Sequence, residues 1–305
     1  MRRTKTIVIS GCDSHYFHLL RDMLDSVEPH CRERGIDIGI LDYGLTADQA
    51  KEIAGRVKAN LSPIWKLEVP RNAADKRGPI FESRLFLPDH FPGYEVYFWI
   101  DSDAWLQIPA SLDDFITGAV TAGAAVVAEA HPTYRFQPRL AFRNLKSFVR
   151  GYGLRRGLRL FRKPHLNMGI FAIHADAPHW RLWRDRVIAA ATRTGAIAPH
   201  DQFAFNEIVY EDAVPTAILP PELNWIVDRG VPAWDPDRAL LLMPDRSKPL
   251  GIVHLAGPAG KGRVYRCPVE GGGVVAMELR HSTVPRRAEA APTAASLASS
   301  GGSRA

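Results

Sequence analysis

The chain has few cysteines and no long apolar run, and each absence excludes a class of protein. Its 3 cysteines, Cys12, Cys31 and Cys267, are widely spaced and lie in no CxxC or Cys/His cluster. This excludes a disulfide framework and a cysteine-based zinc site, and it favours a reducing compartment. No run approaches the roughly 18 apolar residues that a membrane-spanning helix needs. With 46% apolar and 24% charged residues, we expect an ordinary cytoplasmic globular protein.

Acidic residues are missing from one long segment. No Asp or Glu occurs between Glu129 and Asp176, whereas Lys and Arg are frequent there, and the whole chain has a net charge of +6. Within this basic insertion, residues 131–165, the apolar side chains of 142–152 recur at helical spacing, which predicts an amphipathic helix. Two interpretations stay open: a helix packed over a site, or a surface that attracts an anionic acceptor or an anionic membrane.

The basic charge is also compatible with a nucleic-acid-binding protein, because arginines beside aromatic rings can follow a phosphate backbone. No recognised nucleic-acid motif occurs, however, and the basic residues form one insertion in a chain whose clearest motif is acidic. We therefore expect no nucleic-acid partner.

Two glycine-rich phosphate-binding loops are missing as well. The segment GPAGKG at 257–262 lacks the first Gly of a P-loop, where Leu255 stands, and the final Ser or Thr, where Gly262 stands. After the first predicted strand the chain reads SGCD at 10–13 instead of GxGxxG, which argues against a dinucleotide-binding fold. A sheet in this protein must serve another ligand.

Predicted strands alternate with predicted helices, which is typical of an α/β protein with a mostly parallel sheet. The predicted strands are 6–10, 36–41, 64–69, 95–100, 124–129, 168–173 and 251–255. The predicted helices are 16–34, 46–59, 80–87, one from 111, 177–193 and 201–210. Residues 284–305 are mostly Ala, Ser, Gly, Pro and Arg, so we expect a disordered tail after one domain at 1–283.

The most informative motif present is Asp101-Ser102-Asp103, which follows the apolar run YEVYFWI. Two carboxylates at i and i+2 on an extended backbone point to the same side. Ligands of open α/β sheets bind at the carboxyl ends of the strands, and a divalent cation held there would bind a diphosphate. Taken alone, the motif is equally compatible with a solvated turn.

His254 ends another short apolar run, GIVH, and is therefore expected at the end of a strand. An imidazole nitrogen is an acceptable third ligand for a transition metal such as Mn²⁺. The glycines that follow allow close backbone approach, and Lys261 supplies a positive charge suited to phosphate. A histidine in this context is also compatible with a plain core role.

Five segments occur together in an order that resembles a known family. They are FWIDSDAWLQ, HLNMGIFAIHAD, HDQFAFNEIV, LPPELNW and GIVHLAGPAGK. Over residues 6–265 the chain thereby resembles the family 8 retaining glycosyltransferases, the group of glycogenin and of bacterial lipopolysaccharide galactosyl- and glucosyltransferases. The resemblance implies an α/β protein of the GT-A fold, with a single mostly parallel central sheet flanked by helices, that uses a UDP-sugar and Mn²⁺ or Mg²⁺.

The resemblance also implies roles for particular residues. The implied metal ligands are Asp101, Asp103 and His254. The implied cofactor-binding residues, which face the nucleotide, the diphosphate or the donor sugar, are Asp13, Asp101, Ser102, Asn167, Gly169, Gly257 and Lys261. The implied catalytic residues are Arg84, Asp201 and Gln202.

Three of these residues have simpler explanations when taken alone. Asp201 would serve as the N-cap of the predicted helix 201–210, Asn167 as a turn before a strand, and Arg84 as a surface helix residue. The functional interpretation is favoured because all of the motifs resemble the same family.

The Lys261 segment departs from the family pattern His-x-x-Gly-x-x-Lys-Pro-Trp. Here the lysine comes one residue late, and Gly262 and Arg263 replace Pro-Trp. Arg263 is therefore an alternative for the role of Lys261. The loop after the first strand also lacks the family's commoner Asp/Asn pairing.

The expected activity is hexosyl transfer to a glycan or glycolipid, such as lipopolysaccharide or another cell-surface glycan. We expect the protein in the cytoplasm, either free or bound peripherally at the inner face of the membrane. Retention is usually explained in this family by front-face attack, and Asp201 or Gln202 as a transient nucleophile is the alternative. A sugar nucleotidyltransferase is the rival enzyme class. Against that class, the Gly- and Lys/Arg-rich loop expected of it is missing after the first strand.

Overall fold

The computed structural model describes residues 4–63, 66–69, 78–257 and 261–285. The strands are β1 Thr6–Cys12, β2 Asp37–Asp42, β3 Ala59–Leu61, β4 Val96–Ile100, β5 Ala104–Leu106, β6 Ala124–Ala128, β7 Leu166–His174, β8 Ala217–Leu219, β9 Trp225–Ile226, β10 Ala233–Asp235, β11 Leu240–Leu242, β12 Ile252–His254, β13 Val264–Pro268 and β14 Val274–Glu278. The helices are α1 Phe17–Arg34, α2 Ala47–Ile53, α3 Gly78–Ser83, α4 Leu87–His90, α5 Ala110–Ala122, α6 Pro138–Tyr152, α7 Leu154–Phe161, α8 His179–Thr194 and α9 His200–Tyr210, with 3-10 turns at Ser14–Tyr16, Arg84–Phe86 and Pro221–Asn224.

The central sheet has seven strands in the order β3-β2-β1-β4-β7-β6-β8. β7 runs antiparallel to both of its neighbours, and the other pairings are parallel. The prediction of a single mostly parallel central sheet flanked by helices is therefore confirmed. The carboxyl ends of β1 and β4 lie side by side at one edge, where ligands of such sheets bind.

Core side chains lie on both faces of this sheet. Along β4, Tyr97 and Trp99 belong to one hydrophobic cluster, while Phe98 and Ile100 belong to a second cluster on the opposite face. This alternation is what an extended backbone requires, and all four side chains are buried. β4 is thus held from both sides, and the residues that follow it leave the sheet at a fixed position.

Two predictions near the third strand were wrong. The predicted helix 46–59 ends at Ile53, although Thr46 caps its first turn as expected, and the next strand is β3 rather than 64–69. Residues 66–69 are not part of a strand, and 64–65 lie outside the described residues. The reason is a side chain: Glu82 Oε1 accepts from the backbone N–H of Leu67 at 2.6 Å, in place of a neighbouring strand.

A second sheet of three strands carries the other half of the site. β12 pairs antiparallel with β5 and parallel with β9, and its register places His254 opposite Ala104. The backbone N–H of Leu255 donates to the carbonyl of Asp103 at 2.8 Å. Because β5 begins directly after the acidic motif, this register brings two distant segments of the chain together.

The basic insertion forms α6 and α7, so the predicted amphipathic helix within 142–152 is confirmed. The two helices cross closely at Gly157, where a Cβ would lie 2.8 Å from the backbone of Phe148. Phe148 in turn stacks on Phe203 of α9 at 3.9 Å between ring centroids. Among the described helices, none combines the length and apolar character that crossing a bilayer requires.

The C-terminal side of the chain completes a third hydrophobic cluster, to which β13, β14 and the buried Val284 contribute. Of the predicted disordered tail at 284–305, residues 286–305 lie outside the described residues. The tail therefore stays a prediction.

Candidate functional site

Asp101, Asp103 and His254 converge at the carboxyl edge of the central sheet. Their ligand atoms all lie within 4.8 Å of one another. His254 Nε2 is 3.5 Å from Asp103 Oδ1 and 3.9 Å from Asp101 Oδ2. The strand ends place these groups: β4 stops one residue before Asp101, β5 starts one residue after Asp103, and β12 stops at His254.

The His254 ring is oriented by an asparagine that the sequence analysis did not single out. Nδ1 of His254 lies 2.8 Å from Oδ1 of Asn224, and Nδ2 of Asn224 donates to Oδ1 of Asn167 at 3.0 Å. A ligating histidine ordinarily has its second ring nitrogen bonded in this way. Two carboxylates and an oriented imidazole are a donor set that suits Mn²⁺ or Mg²⁺, so these residues fit the implied metal.

The charged groups of this cluster shift one another's pKa. Burial would raise the pKa of Asp103, but its hydrogen bond and charge contact with His254, together with the charge of Lys261, lower that pKa overall. The pKa of Asp101 is raised by burial and by Asp103, against the opposing charge of Arg84. Asp103 is therefore held ionised, as a metal ligand must be.

Gly169 lies against the cluster and leaves no room for a side chain. A Cβ at this position would be 2.6 Å from His254 Cε1 and 2.7 Å from Asp101 Oδ2. The backbone N–H of Gly169 donates to Oδ1 of Asn167 at 2.8 Å, and its carbonyl accepts from the N–H of Asp101 at 2.7 Å. The structure thus brings the Asn-x-Gly pair directly beside the acidic motif.

A cavity of about 330 Å³ opens in front of this cluster, and we call it the acidic cavity. Among its lining residues are Asp13, Arg84, Asp101, Ser102, Asp103, Gly257 and Lys261. Asp13 Oδ1 also accepts from the backbone N–H groups of His15 and Tyr16, at 3.1 and 3.2 Å, so this carboxylate caps the first 3-10 turn as well. Seven sequence-predicted residues therefore share one cavity.

Lys261 reaches the acidic motif despite its altered spacing. Its Nζ lies 3.0 Å from Asp103 Oδ2 and 4.0 Å from the centroid of the Tyr16 ring. Arg263, the alternative, instead pairs with Asp228 at 3.0 Å. The structure therefore places Lys261, and not Arg263, beside the acidic motif.

Arg84 and Asp201 form a buried ion pair behind the acidic cavity. Their side chains are 4% and 2% exposed, and Nη2 of Arg84 lies 2.5 Å from Oδ2 of Asp201. Nη1 of Arg84 donates to the carbonyl of Met168 at 2.7 Å and lies 3.6 Å from Asp101 Oδ1. The surface role for Arg84 is therefore wrong. The N-cap role for Asp201 is also wrong, because the N-cap of α9 is Pro199 and Asp201 lies inside the helix.

Gln202, the neighbour of Asp201, faces a different cavity. Its Nε2 donates to Glu129 Oε1 at 3.2 Å and lies 2.6 Å from His165 Nε2. Glu129 also accepts from Asn167 Nδ2 at 2.7 Å and pairs with Arg229 at 2.5 Å. Burial would raise the pKa of Glu129, but His165, Arg229 and the two amide donors lower it.

The second cavity, which we call the basic cavity, has a volume of about 640 Å³. Its walls include Glu129, Asn167 of β7, Gln202 of α9, and Arg139 and Arg143 of α6. Gly257 lines both this cavity and the acidic cavity. The two cavities therefore adjoin at the edge of the sheet where the acidic motif lies.

Four residues of this site were not predicted from the sequence: Glu129, His165, Asn224 and Arg229. Two of them carried a readable signal, because Glu129 closes the predicted strand 124–129 and Asn224 lies in the segment LPPELNW. No sequence signal indicated His165 or Arg229, because their positions depend on how the basic insertion folds against the rest of the chain.

No protein-family model and no curated protein matches the chain. Solved structures do resemble it in fold. A galactosyltransferase, LgtC, crystallised with donor and acceptor sugar analogs, is similar with a TM-score of 0.51 and 11% identity, over 83% of this chain and 88% of that one. Mouse xyloside xylosyltransferase 1 is similar with a TM-score of 0.50 and 13% identity, over 85% of this chain and 99% of that one.

These likenesses identify the fold. The chain has the mixed α/β architecture of the GT-A glycosyltransferases, as the sequence resemblance implied. At such low identity a shared fold does not fix an activity, which depends on the residues of the site.

Proposed function

We propose that the protein is a metal-dependent retaining glycosyltransferase that moves a hexose from a UDP-sugar to a glycan or glycolipid, such as lipopolysaccharide or another cell-surface glycan. One observation carries the proposal: Asp101, Asp103 and His254 converge at the ligand-binding edge of a GT-A sheet, where Asp101, Asp103 and Lys261 line a cavity.

Asp101, Asp103 and His254 would hold the metal. The ion, when bound, would neutralise charge on the diphosphate leaving group. Lys261 would bind a diphosphate oxygen, exchanging its contact with Asp103, and Arg84 would add fixed positive charge from behind. Asp13 and Ser102 would line the nucleotide side of the acidic cavity.

In the transfer step the acceptor oxygen bonds to the anomeric carbon, and the bond from that carbon to the diphosphate oxygen breaks. The electron pair leaves with UDP, and the hydroxyl proton passes to the departing UDP or to solvent. Asn167, Gly169 and Gln202 would position the donor sugar between the two cavities, since Asn167 and Gln202 line the basic cavity beside the cluster.

Asp201 and Gln202, the two predicted residues closest to the reacting sugar, differ in their access to a ligand. Asp201 is buried in its ion pair with Arg84, whereas Gln202 lines a cavity. Gln202 is thus the better candidate for contact with the reacting sugar, and Asp201 is a positioning residue that holds Arg84.

The test is a panel of UDP-sugars assayed for UDP release with mixed oligosaccharide acceptors, in Mn²⁺, in Mg²⁺ and after chelation. We expect UDP from one hexose donor only when metal is present, and retention of the anomeric configuration in the product by NMR. Release of pyrophosphate in a parallel assay with UTP and hexose 1-phosphates would instead favour a sugar nucleotidyltransferase. Equal turnover after exhaustive chelation would contradict the metal site.

Peripheral binding to an anionic membrane at the cytoplasmic face is a separate prediction. It rests on exposed residues of α6 and α7: Phe142 is 70% and Leu154 is 64% exposed, and Lys146, Arg150 and Arg155 are exposed as well. We expect cosedimentation with phosphatidylglycerol vesicles but not with phosphatidylcholine vesicles. Equal binding to both would contradict it.

A further inference from the structure

We propose that the basic cavity binds the acceptor through an anionic group, phosphate or carboxylate, which Arg139 and Arg143 hold. The inference rests on the proposed function in one respect, that the acidic cavity takes the donor. It concerns Arg139 and Arg143, which line the basic cavity, whereas Phe142, Lys146 and Arg150 of the same helical face line neither cavity.

The two arginines are available to a ligand. They are four residues apart on α6, so they project from the same face of the helix. Both are exposed and line the basic cavity. Within the part of the chain that the structure describes, no carboxylate forms an ion pair with either of them. Their charge is therefore free to meet an anion.

The acidic groups of the same cavity are already neutralised. Glu129 pairs with Arg229 at 2.5 Å, and Asp228 pairs with Arg263 at 3.0 Å. A ligand that enters the cavity therefore meets two arginines whose positive charge has no counterpart in the wall. Guanidinium groups bind phosphate and carboxylate with paired hydrogen bonds, which gives the site geometric selectivity as well as charge.

The position of the arginines fits an acceptor rather than a donor. Gly257 lines both cavities, and Asn167 and Gln202 come from β7 and α9, whereas Arg139 and Arg143 come from α6 and line the basic cavity without lining the acidic one. An anionic group held there would leave a neighbouring hydroxyl free to reach the metal cluster. The anion would then fix the orientation of the acceptor.

A recess beyond the arginines provides room for a longer acceptor. It has a volume of about 630 Å³ and shares Leu140 and His165 with the basic cavity. Its walls include Tyr134, Phe161 and Phe136, whose side chain is 80% exposed. Aromatic walls with a few polar groups are typical of ligand sites, so we expect an oligosaccharide or glycolipid acceptor.

The test uses glucose 6-phosphate, glucuronate and glucose as probes, titrated into the full chain saturated with Mn²⁺ and UDP. Filling the acidic cavity first prevents a probe phosphate from binding there. We expect the two anionic probes to bind about tenfold more tightly than glucose, and the Arg139→Gln/Arg143→Gln variant to lose that preference.

A charge-matched control is Arg150→Gln/Arg155→Gln, which removes two exposed arginines of α6 and α7 that line neither cavity. It should keep the preference for anionic probes. Equal binding of all three probes to the unmodified protein would overturn the proposal. Equal losses in both double variants, with binding to anionic vesicles lost in parallel, would also overturn it and assign the charge to a membrane face.

The same titration separates this inference from the proposed function. If UDP and Mn²⁺ do not bind together, the donor site is wrong. The anion preference and its loss in Arg139→Gln/Arg143→Gln would then still be measured on the protein without UDP, and would decide this inference alone.

Discussion

The acidic cavity and the basic cavity adjoin at Gly257 and differ in how their charges are balanced. In the acidic cavity, Asp103 lies between His254 and Lys261, and Arg84 is held by Asp201. In the basic cavity the carboxylates are paired, but Arg139 and Arg143 have no acidic partner among the described residues.

This difference reflects where each cavity lies, because the sheet forms one and the basic insertion closes the other. The acidic cavity is built at the ends of buried strands, where charges are desolvated and held by several hydrogen bonds. The basic cavity is closed by α6, an exposed helix of the insertion. Substitutions in the first should abolish chemistry, and substitutions in the second should alter acceptor choice.

The largest effect is expected from Asp103→Asn, because an amide cannot supply the negative charge that a divalent cation needs. We expect metal-dependent UDP release to fall about 1,000-fold, with an unchanged circular dichroism spectrum. Arg143→Gln is the matched control from the other cavity and should retain UDP release to water. Full activity of Asp103→Asn after metal depletion would remove the distinction between the cavities.

Gly169→Ala should have the next largest effect. The added methyl would lie 2.6 Å from His254 Cε1 and 2.7 Å from Asp101 Oδ2, so the cluster must shift. We expect activity to fall about 100-fold and the free energy of unfolding to drop by about 1–3 kcal/mol. Gly55→Ala, where no atom lies within 4 Å of the added Cβ, is the control; similar losses in both would show that close packing at 169 is not the cause.

Asn224→Ala should weaken metal binding without touching a ligand. It removes the partner of His254 Nδ1 and leaves that ring free to rotate. We expect Mn²⁺ affinity, measured by titration, to fall 10- to 100-fold. Asn224→Asp, which keeps an oxygen for Nδ1, should recover part of that loss. Unchanged affinity in Asn224→Ala would mean that the ring is held by its packing alone.

The smallest effect concerns Asp201. Burial raises its pKa to about 6 against the charge of Arg84, so below that pH the folded state holds a proton that the unfolded chain, with a pKa near 4, releases. Stability from this group is present at low pH and lost as pH rises through 6. As the pH rises from 5 to 8, the free energy of unfolding of the wild type should fall by about 1 kcal/mol relative to that of Asp201→Asn.

The check is denaturant unfolding at both pH values, with Asp185→Asn on the exposed side of α8 as the control. The control should show no such shift relative to wild type. An equal pH response in both variants would contradict the raised pKa of Asp201.

The acidic motif and His254 were predictable because each follows a short apolar run, and such runs become strand ends at a sheet edge. The sequence pattern alone does not reveal that they meet, since this depends on the pairing of β12 with β5. The resemblance to a family supplied that link. The placement of the third strand failed because a single side chain, Glu82, satisfies the backbone of 66–67.

The basic cavity was less accessible to prediction. Helical periodicity identifies a face of 142–152 but not what that face meets, so the place of Arg143 in the wall of the basic cavity and the pairing of Glu129 with Arg229 came only from the folded chain. Long-range pairing of polar groups leaves no periodic signal in a sequence.

The hydrogen bonds between the two cavities have a direction, and that direction decides where one proton resides. Arg229 holds Glu129 as an acceptor, so Asn167 must turn its NH₂ toward Glu129 and its oxygen toward Asn224. Asn224 then presents its own oxygen to the ring of His254. Nδ1 of the ring must therefore keep its hydrogen, so the proton that a bound metal would displace is the one on Nε2, which faces the carboxylates. An arginine in the wall of the basic cavity thereby fixes which ring nitrogen of His254 would be left for a metal.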